Sequence, residues 1–461
     1  MKNKSLIIVF IMLAGAFSAI GQSHLWEFPT CPTVTSIVRE WKNGKYLVYS
    51  SDGITQKVTL HDNASSPAVS VNLPSLVYIN DFRIANDTVF AGGYLNNASS
   101  RVGLLACFDI NDMIIGSGTF QWMTFTNTNL SISNCEIADY DVLITEVNRI
   151  SLFKDGPLTR IAFLANNNIV DHGNPSIVYL QRVGYGDAAF IGAPVTPWEL
   201  NQYHYNKDGV EEYTDIACTE NRIVITAKDK DYNWFHFMVF NRTANFANYS
   251  PLSPPIYYFT DHTVAEQVMV ADCGGDKVAV TYNFSEPANR GIAVKYLNVG
   301  SGAPVLLNSL DIPLGSSAYL GTMRDTRYCQ SSNCLRFLTD AYNPITSVWG
   351  HHIYTIDMSN IYAGIYEAIF IIDKEFHSLD NFLSNGIVTS GLAVPYGYLN
   401  VYYHDYSGAP DVCCKTVMVP GISSSPAYRT FGRHHCIIEP DKFSNSIFFN
   451  TYGEDVGIEC E

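Results

Sequence analysis

A recurring pattern of short apolar strands and polar turns runs along the chain. Each copy has a strand ending in an aliphatic residue and Ala, a turn of Asp, Asn or Gly, and a strand rich in β-branched residues. Four copies begin at Phe82, Cys135, Thr214 and Val268, and a looser fifth copy begins at Leu320. A third apolar strand follows each hairpin, over residues 104–110, 150–153, 235–240, 292–297 and 353–358. This pattern predicts antiparallel hairpins and very little helix.

The spacing of the copies indicates the architecture. Ile84 and Ile137 occupy the same place in successive copies 53 residues apart, and Ile216 and Val270 are 54 residues apart. Units of roughly 40–55 residues with three or four strands are typical of β-propeller blades. We therefore predict an all-β fold, a single β-propeller of about seven blades, with six or eight also compatible with the length.

Further units are expected where the pattern is degenerate. The 79-residue interval from Ile137 to Ile216 has room for one around residues 177–191, and others are predicted at 34–60, 387–403 and 436–452. A propeller closes by joining its first and last strands in one blade. We expect residues 34–49 and the chain after Cys436 to lie together for that reason.

The amino-terminal residues have the pattern of a secretory signal. Lys2 and Lys4 precede an apolar stretch over residues 6–17, and small residues follow at Ser18, Ala19 and Gly21. The apolar stretch is shorter than the roughly 20 residues that a membrane helix needs. This predicts a signal peptide over residues 1–21 and an exported propeller domain over 22–461, in the periplasm, on the outer surface or in the medium.

Composition narrows the class of partner. The chain is 47% apolar and 13% aromatic, which excludes a disordered protein, but only 16% charged, against about 25% in ordinary soluble domains. Its net charge of −16 argues against a nucleic-acid partner. We expect no cofactor, and no further segment is long, apolar and free of charge and Pro as a membrane span requires.

Eleven cysteines are present, and export makes disulfides chemically possible. The spacing of Cys329 and Cys334 predicts a local bridge across a hairpin tip. Other candidates for pairing lie near the carboxyl end: Cys413, Cys414, Cys436 and Cys460. Three cysteines in short apolar strands are expected to be buried thiols: Cys135, Cys218 and Cys273.

The segment DTVFAGGYLNNASSRVGLLACFDI, residues 87–110, together with the export signal, resembles secreted, uncharacterised repeat proteins of Bacteroidales. Repeats of those proteins have a similar hairpin with a Val-aromatic-Gly pattern, followed by a Gly-aliphatic-aromatic strand. The resemblance implies a secreted repeat fold and transfers no catalytic residue. Asp87-Thr88-Val89 also resembles the acceptor tripeptide for O-glycosylation in that phylum, and a turn entering a strand accounts for it equally well.

Candidate ligand-binding residues come from the repeat and from an aromatic run. Arg83, Glu136 and Asp215 each precede an aliphatic–Ala pair, so they are predicted to reach the axial channel from three blades and form a charged rim. Alternatively, each charge is paired with a neighbouring blade. The aromatic candidates, which could stack on sugars or anchor a protein interface, are Tyr402, Tyr403 and Tyr406.

Catalytic and metal motifs are weak in this sequence. Ser50 to Thr55 resembles the Asp-box turn of sialidase-type propellers but lacks one residue between Asp52 and Gly53, so a plain hairpin turn is predicted. The pairs His351-His352 and His434-His435 could share a metal only if two blades brought them together at the axis. We predict no catalytic residue and no metal site.

These observations favour a secreted or periplasmic, non-enzymatic propeller that binds a protein or glycan at the cell envelope or host surface. The alternative is a carbohydrate-active enzyme, a glycoside hydrolase or lyase. Such an enzyme needs two carboxylates in the axial pocket, at least one with a shifted pKa. The groups that line the central pocket distinguish the two.

Overall fold

The structure is a computed structural model in which most of the chain between residues 22 and 405 is described, with four short segments beyond it. The described residues are 22–32, 35–42, 45–61, 67–97, 100–116, 120–124, 141–155, 158–170, 177–187, 201–204, 211–229, 235–241, 256–259, 264–286, 290–301, 303–314, 321–343, 348–361, 366–372, 375–382, 386–393, 398–405, 414–416, 436–438, 446–451 and 454–459. Nearly all of them lie in strands.

Seven antiparallel sheets of four strands form the blades of a β-propeller. The first strand of each sheet contacts the first strands of both neighbouring sheets, so these seven strands surround a central channel. The prediction of an all-β propeller with about seven blades is confirmed.

The first three blades run outward from the channel in chain order. Blade 1 contains β2 (Thr35–Lys42), β3 (Lys45–Ser51), β4 (Gln56–His61) and β5 (Pro67–Asn72). Blade 2 contains β6 (Val77–Ala85), β7 (Thr88–Asn97), β8 (Ser100–Asp109) and β9 (Gln121–Thr124). Blade 3 contains β10 (Asp141–Asp155), β11 (Leu158–Val170), β12 (Ile177–Asp187) and β13 (Asn201–His204). A short helix, α1 (Ile110–Ile114), follows β8 and is capped by the Asp109 carboxylate.

The next three blades repeat this order. Blade 4 contains β14 (Glu211–Cys218), β15 (Arg222–Asp229), β16 (Phe235–Asn241) and β17 (Ile256–Phe259). Blade 5 contains β18 (Val264–Asp272), β19 (Lys277–Ser285), β20 (Arg290–Asn298) and β21 (Val305–Pro313). Blade 6 contains β22 (Met323–Cys329), β23 (Cys334–Asn343), β24 (Val348–Asp357) and β25 (Tyr366–Ile372). The third strands predicted near residues 104, 235, 292 and 353 are β8, β16, β20 and β24.

Blade 7 closes the ring with strands from both ends of the blade-forming chain. Its inner strands are β26 (Glu375–Phe382), β27 (Gly386–Ala393) and β28 (Tyr398–Asp405), and its outermost strand is β1 (Gln22–Pro32). The closure predicted for residues 34–49 with the chain after Cys436 is wrong. Pro29 and Pro32 cannot donate ladder hydrogen bonds, which suits β1 to the edge of a sheet.

The strands after residue 405 form no blade. β29 (Cys414–Thr416) pairs in parallel with β30 (Cys436–Ile438), and β31 (Ser446–Thr451) forms a hairpin with β32 (Glu454–Glu459). The unit predicted at 436–452 is therefore wrong, whereas those at 34–60 and 387–403 belong to blades 1 and 7.

Blade 3 differs from the predicted pattern because its first hairpin is long. β10 is one strand of 15 residues with two bulges, and it pairs with β11 from Asp141 to Asp155. Residues 150–153, predicted as a third strand, lie in this first strand, and 177–187 form the third strand instead of a separate unit. Asn80, Asn148 and Thr214, each the extra residue of a bulge in a first strand, are 68 and 66 residues apart, so the predicted intervals of 53 and 79 residues do not describe these blades.

Apolar side chains pack between adjacent blades. One cluster joins blades 1 and 2 through residues such as Leu47, Tyr49 and Leu104, and equivalent clusters join blades 2 to 3, 3 to 4, 4 to 5 and 5 to 6. Within the described segments no helix is long and apolar enough to cross a bilayer.

The predicted disulfide between Cys329 and Cys334 is absent. The two residues are directly opposite each other across the β22–β23 hairpin, but both are thiols. The Cys329 Sγ lies 3.1 Å from the Ser331 hydroxyl, and the Cys334 thiol donates to the Ser332 carbonyl at 3.3 Å, so the turn itself binds both groups.

The other cysteine predictions have different outcomes. Cys218 and Cys273 are buried thiols, as predicted, and Cys135 lies outside the described residues. The backbone of Cys414 is opposite that of Cys436 in the short parallel pair, and these were two of the residues proposed for pairing.

Deletion of residues 22–32 tests the closure. Removing β1 exposes the edge of β28, so we expect the melting temperature to fall by at least about 5 °C and the protein to associate as its concentration rises. Differential scanning calorimetry and light scattering measure both effects. Deletion of residues 446–459, which lie outside the blades, is the control, and equal losses from both deletions would contradict the closure.

Candidate functional site

The first strands of five blades carry a β-bulge near the channel. At each bulge one extra residue interrupts the pairing with the second strand: Asn80, Asn148, Thr214, Arg324 and His377. A bulge bends the strand and changes where the adjacent side chains point. Sequence patterning did not predict these positions.

The residue directly after the bulge connects one blade to the next in four cases. Its side chain accepts a hydrogen bond from a backbone N–H of the next blade, and we call these side chains the blade-linking residues. They are Asp81 to Ile150 (3.1 Å), Asp215 to Val270 (2.9 Å), Asp325 to Leu379 (3.2 Å) and Ser378 to Val38 (2.7 Å). The last of these bonds crosses from blade 7 to blade 1.

Buried arginines neutralise two of the blade-linking residues. Arg39 of blade 1 lies 2.8 Å from Asp81 of blade 2 and 3.1 Å from Asp325 of blade 6. Arg83 pairs with Asp81 at 2.7 Å, and Arg327 pairs with Asp325 at 3.0 Å. Removing one member of such a buried pair leaves an uncompensated charge, which is costly in a low-dielectric interior.

The pKa values of the three blade-linking acids shift in opposite directions: those of Asp81 and Asp325 are lowered and that of Asp215 is raised. Burial by itself would raise the pKa of Asp81, but Arg83 and Arg39 outweigh burial and hold that pKa at about 2. Burial opposes ionisation of Asp325 as well, and Arg327 and Arg39 lower its pKa nonetheless. For Asp215, burial dominates and raises the pKa, because its contacts are backbone N–H groups with no ion pair within 4 Å among the described residues.

The predicted charged rim is only partly assembled. Arg83 and Asp215 both lie on first strands, and the positive charge of Arg83 favours the ionised form of Asp215. They are not equivalent, because Asp81, two residues before Arg83, corresponds to Asp215. Glu136 lies outside the described residues. Neither Arg83 nor Asp215 lines the axial cavity. Asp215 accepts from the Val270 N–H of the neighbouring blade, as the alternative predicts, whereas Arg83 pairs with Asp81 of its own strand.

The predicted aromatic run lies away from the channel. Tyr402 and Tyr403 belong to β28, the third strand of blade 7, between β27 and β1. The strand β28 is separated from the channel by β27 and β26, and Tyr406 is outside the described residues.

A cavity of about 510 Å³ opens at the end of the channel where the first strands begin. Among the described residues, six of the seven blades contribute to its lining. Among the lining residues are the five bulge residues and Ser36, Arg39, Tyr49, Tyr78, Tyr94, Glu146 and Arg149. It is thus lined by hydroxyls, amides and aromatic rings as well as charges.

Two tyrosines of blade 2 form the aromatic side of the cavity. The rings of Tyr78 and Tyr94 are stacked, with centroids 5.0 Å apart and planes 6° apart. This pairing requires Gly93, because a Cβ there would clash with the Tyr78 carbonyl. The guanidinium of Arg101 lies 4.5 Å from the centre of the Tyr94 ring, and it pairs with Glu146 at 3.3 Å.

The Tyr78 hydroxyl is anchored to the turn that resembles an Asp-box. It donates to the Gly53 carbonyl at 2.8 Å. The Asp52 carboxylate accepts from the backbone of Ile54 and Thr55 at 2.8 and 2.5 Å, and Gly53 has a φ of +87°. The prediction of a hairpin turn here is confirmed.

The opposite side of the cavity is held by blades 6 and 7. Arg324 makes a two-point contact with the Asp340 carboxylate, at 2.9 Å for each bond. His351 lies 3.1 Å from the same carboxylate and accepts from the Phe376 backbone N–H at 2.9 Å. His377 accepts from the Ser36 N–H at 3.0 Å.

His351 therefore links blades, and His434 and His435 lie outside the described residues. In the segments that are described, no group of three or more His, Cys, Asp or Glu side chains could hold a metal ion.

The described carboxylates that line the cavity each contact an arginine. Of the described residues, only Glu146 and Asp325 supply carboxylates to its lining. Asp325 is buried between Arg39 and Arg327 with a lowered pKa, and Glu146 faces Arg101. The carboxyl with a raised pKa, Asp215, is committed to backbone N–H groups.

Substitution of the blade-linking acids tests their two environments. Asp81→Asn leaves Arg83 without its contacting acid and removes one of the two acids that contact Arg39, so it is expected to lower the free energy of unfolding by about 3–5 kcal/mol. Asp215→Asn keeps one acceptor oxygen and disturbs no ion pair, so the expected loss is about 1 kcal/mol. Urea unfolding followed by Trp fluorescence measures both losses. Equal losses would contradict the assignment of Asp81 as the ion-paired acid.

Acid sensitivity follows from the lowered pKa values of Asp81 and Asp325. A carboxyl whose pKa is lower in the folded state contributes full stability above the unfolded pKa, near 4, and loses it as the pH falls toward about 2. Unfolding free energies at pH 5, 4 and 3 should therefore decline. The decline should be shallower in Asp81→Asn, and identical slopes in the two proteins would contradict this account.

Comparison with known proteins yields only fold similarity. No protein-family profile matches the sequence, and no curated protein matches it. Similar solved structures include a chain from a study of two prolyl endopeptidases, at 10% identity and a TM-score of 0.43, with 81% of this chain and 46% of that chain covered. Prolyl oligopeptidase B from Galerina marginata is 10% identical, with a TM-score of 0.47 and coverage of 86% and 51%.

The β-propeller domain of the Trilobed protease from Pyrococcus furiosus is 7% identical, with a TM-score of 0.43 and coverage of 82% and 98%. The chain spans about half the length of the two prolyl peptidase chains. The likeness concerns the fold alone.

Proposed function

We propose that this chain is an exported, non-enzymatic binding protein whose axial cavity holds part of a glycan or protein at the cell envelope or host surface. The observation that carries the proposal is the lining of that cavity. Six blades contribute described residues to it, among them two stacked tyrosines, amides and hydroxyls, and the described carboxylates of the lining contact arginines.

The size and chemistry of the cavity suit a ligand. Its volume of about 510 Å³ lies within the range of about 300–1,000 Å³ that is usual for binding sites. Amides at Asn80 and Asn148 and hydroxyls at Ser36 and Thr214 can exchange hydrogen bonds with a polar ligand, and Tyr78 and Tyr94 supply aromatic surface.

The enzyme alternative is less well supported. A glycoside hydrolase needs one carboxyl that stays protonated to donate a proton and a second that acts as base or nucleophile. Asp325 is held ionised by two arginines and Glu146 is held by Arg101. The lowered pKa of Asp325 does not suit it to donate a proton.

Export remains part of the proposal. The charged and apolar pattern of residues 1–21 supports it, and cleavage before Gln22 would leave β1 intact as the closing strand of blade 7. An extracytoplasmic address also fits a surface with few charges.

A glycan-array screen of residues 22–461, scored for both binding and cleavage, tests the proposal. We expect reproducible binding with no product, and Tyr94→Ala should weaken that binding by about tenfold, because the aromatic side of the cavity then loses one of its two stacked rings. Tyr296→Ala is the control, because Tyr296 is a half-buried tyrosine on the third strand of blade 5 and does not line the cavity. Conversion of the ligand to product, or equal effects of the two variants, would contradict the proposal.

A further inference from the structure

Arg149 occupies a blade-linking position but cannot make the blade-linking bond. It directly follows the bulge residue Asn148 on β10, as Asp81 follows Asn80 on β6. A guanidinium has donors and no acceptor. The N–H of Ile216 in blade 4 is bound instead by the Oδ1 of Asp215 in its own strand, at 3.0 Å.

Two other blades lack an acceptor at this position, and their residues pack in the core. The bond from Val270 to Asp215 identifies Met269 as the equivalent residue in blade 5, and the bond from Val38 to Ser378 identifies Ile37 in blade 1. Met269 is 1% exposed and Ile37 is 8% exposed, each within an apolar cluster. Arg149 is half-buried and lines the cavity.

No acceptor in the described part of the chain binds the Arg149 guanidinium. Its positive charge favours the ionised forms of three acids, Asp81, Asp215 and Asp325, but these acids make their contacts with other groups. Asp81 and Asp325 contact other arginines, and Asp215 accepts from two backbone N–H groups. Arg149 is partly buried and lines the cavity, so its donors are available to an acceptor on a ligand that enters it.

The other arginines and carboxylates that line the cavity have partners in contact. These pairs are Arg39 with Asp325 (3.1 Å), Arg324 with Asp340 (2.9 Å) and Glu146 with Arg101 (3.3 Å). Arg149 is thus the one guanidinium of the cavity that has no acid in contact, within the described residues. A single positive charge is matched by a ligand group with a single negative charge.

We propose that the cavity binds an acidic saccharide through one monoanionic group, a uronate carboxylate or a sulfate ester, which Arg149 holds. The inference rests on the proposed function and specifies the ligand class. Both groups present oxygens that accept two parallel N–H bonds from a guanidinium. The aromatic pair Tyr78 and Tyr94 and the surrounding amides and hydroxyls contact the neutral part of the sugar.

The test compares matched ligands on residues 22–461. Isothermal titration uses a galacturonate trisaccharide and its methyl ester, and a sulfated disaccharide and its desulfated form. We expect the anionic member of at least one pair to bind more tightly. Arg149→Gln should weaken binding of that member by about tenfold to a hundredfold and leave the neutral member unchanged.

Arg160→Gln is the control variant, because Arg160 is half-buried on the adjacent strand β11 of the same blade and does not line the cavity. An unchanged melting temperature and unchanged binding of the neutral saccharide exclude misfolding of Arg149→Gln. Selective loss with the uronate assigns a carboxylate, and selective loss with the sulfated sugar assigns a sulfate ester.

Two results overturn the inference. If the wild-type protein binds anionic and neutral members equally and Arg149→Gln changes neither, the ligand class is wrong while the binding function stands. If the wild-type protein binds no saccharide of either kind here or on the array, the proposed saccharide-binding function fails with it.

Discussion

The hydrogen bond from the backbone N–H of one blade to a side chain of the preceding blade governs this structure. It joins blades 2 to 3, 4 to 5, 6 to 7 and 7 to 1, close to the axis where the first strands meet. The acceptors are buried, so a donor or an acceptor left without its hydrogen bond would lower the stability of the fold. Arg39 reinforces the arrangement by contacting acids of blades 2 and 6 together. The ring therefore closes through its inner strands as well as through β1.

The same backbone irregularity that makes these bonds builds the cavity. Four of the five bulges place one residue at the cavity and bond the next blade through the following residue, so the site and the scaffold share a segment of strand. Polar groups at the mouth are held by that scaffold: His377 by the Ser36 backbone and Arg324 by Asp340. A site supported in this way is preorganised, and its binding groups need little reordering when a ligand arrives.

The sequence predicted the hairpins and the number of blades because strand alternation and turn residues are local features. It did not predict closure, since the prolines of residues 22–32 obscure an edge strand, nor the long first hairpin of blade 3. The residues of the candidate site were harder to predict from the sequence than the closure of the ring. Aligning Arg83 with Asp215 by their aliphatic–Ala pairs missed Asp81, because the register around a bulge depends on pairing with the second strand. Tyr78 and Tyr94 meet through that same register, and Arg149 is distinctive only once three other blades are seen to carry Asp at its position.

A crystal structure of residues 22–461 with the most tightly bound acidic saccharide tests the central claim most directly. The account predicts the saccharide in the axial cavity, with its acidic oxygens about 2.7–3.2 Å from the Arg149 guanidinium. A saccharide bound outside the cavity, or one whose acidic group points away from Arg149 into solvent, would contradict it.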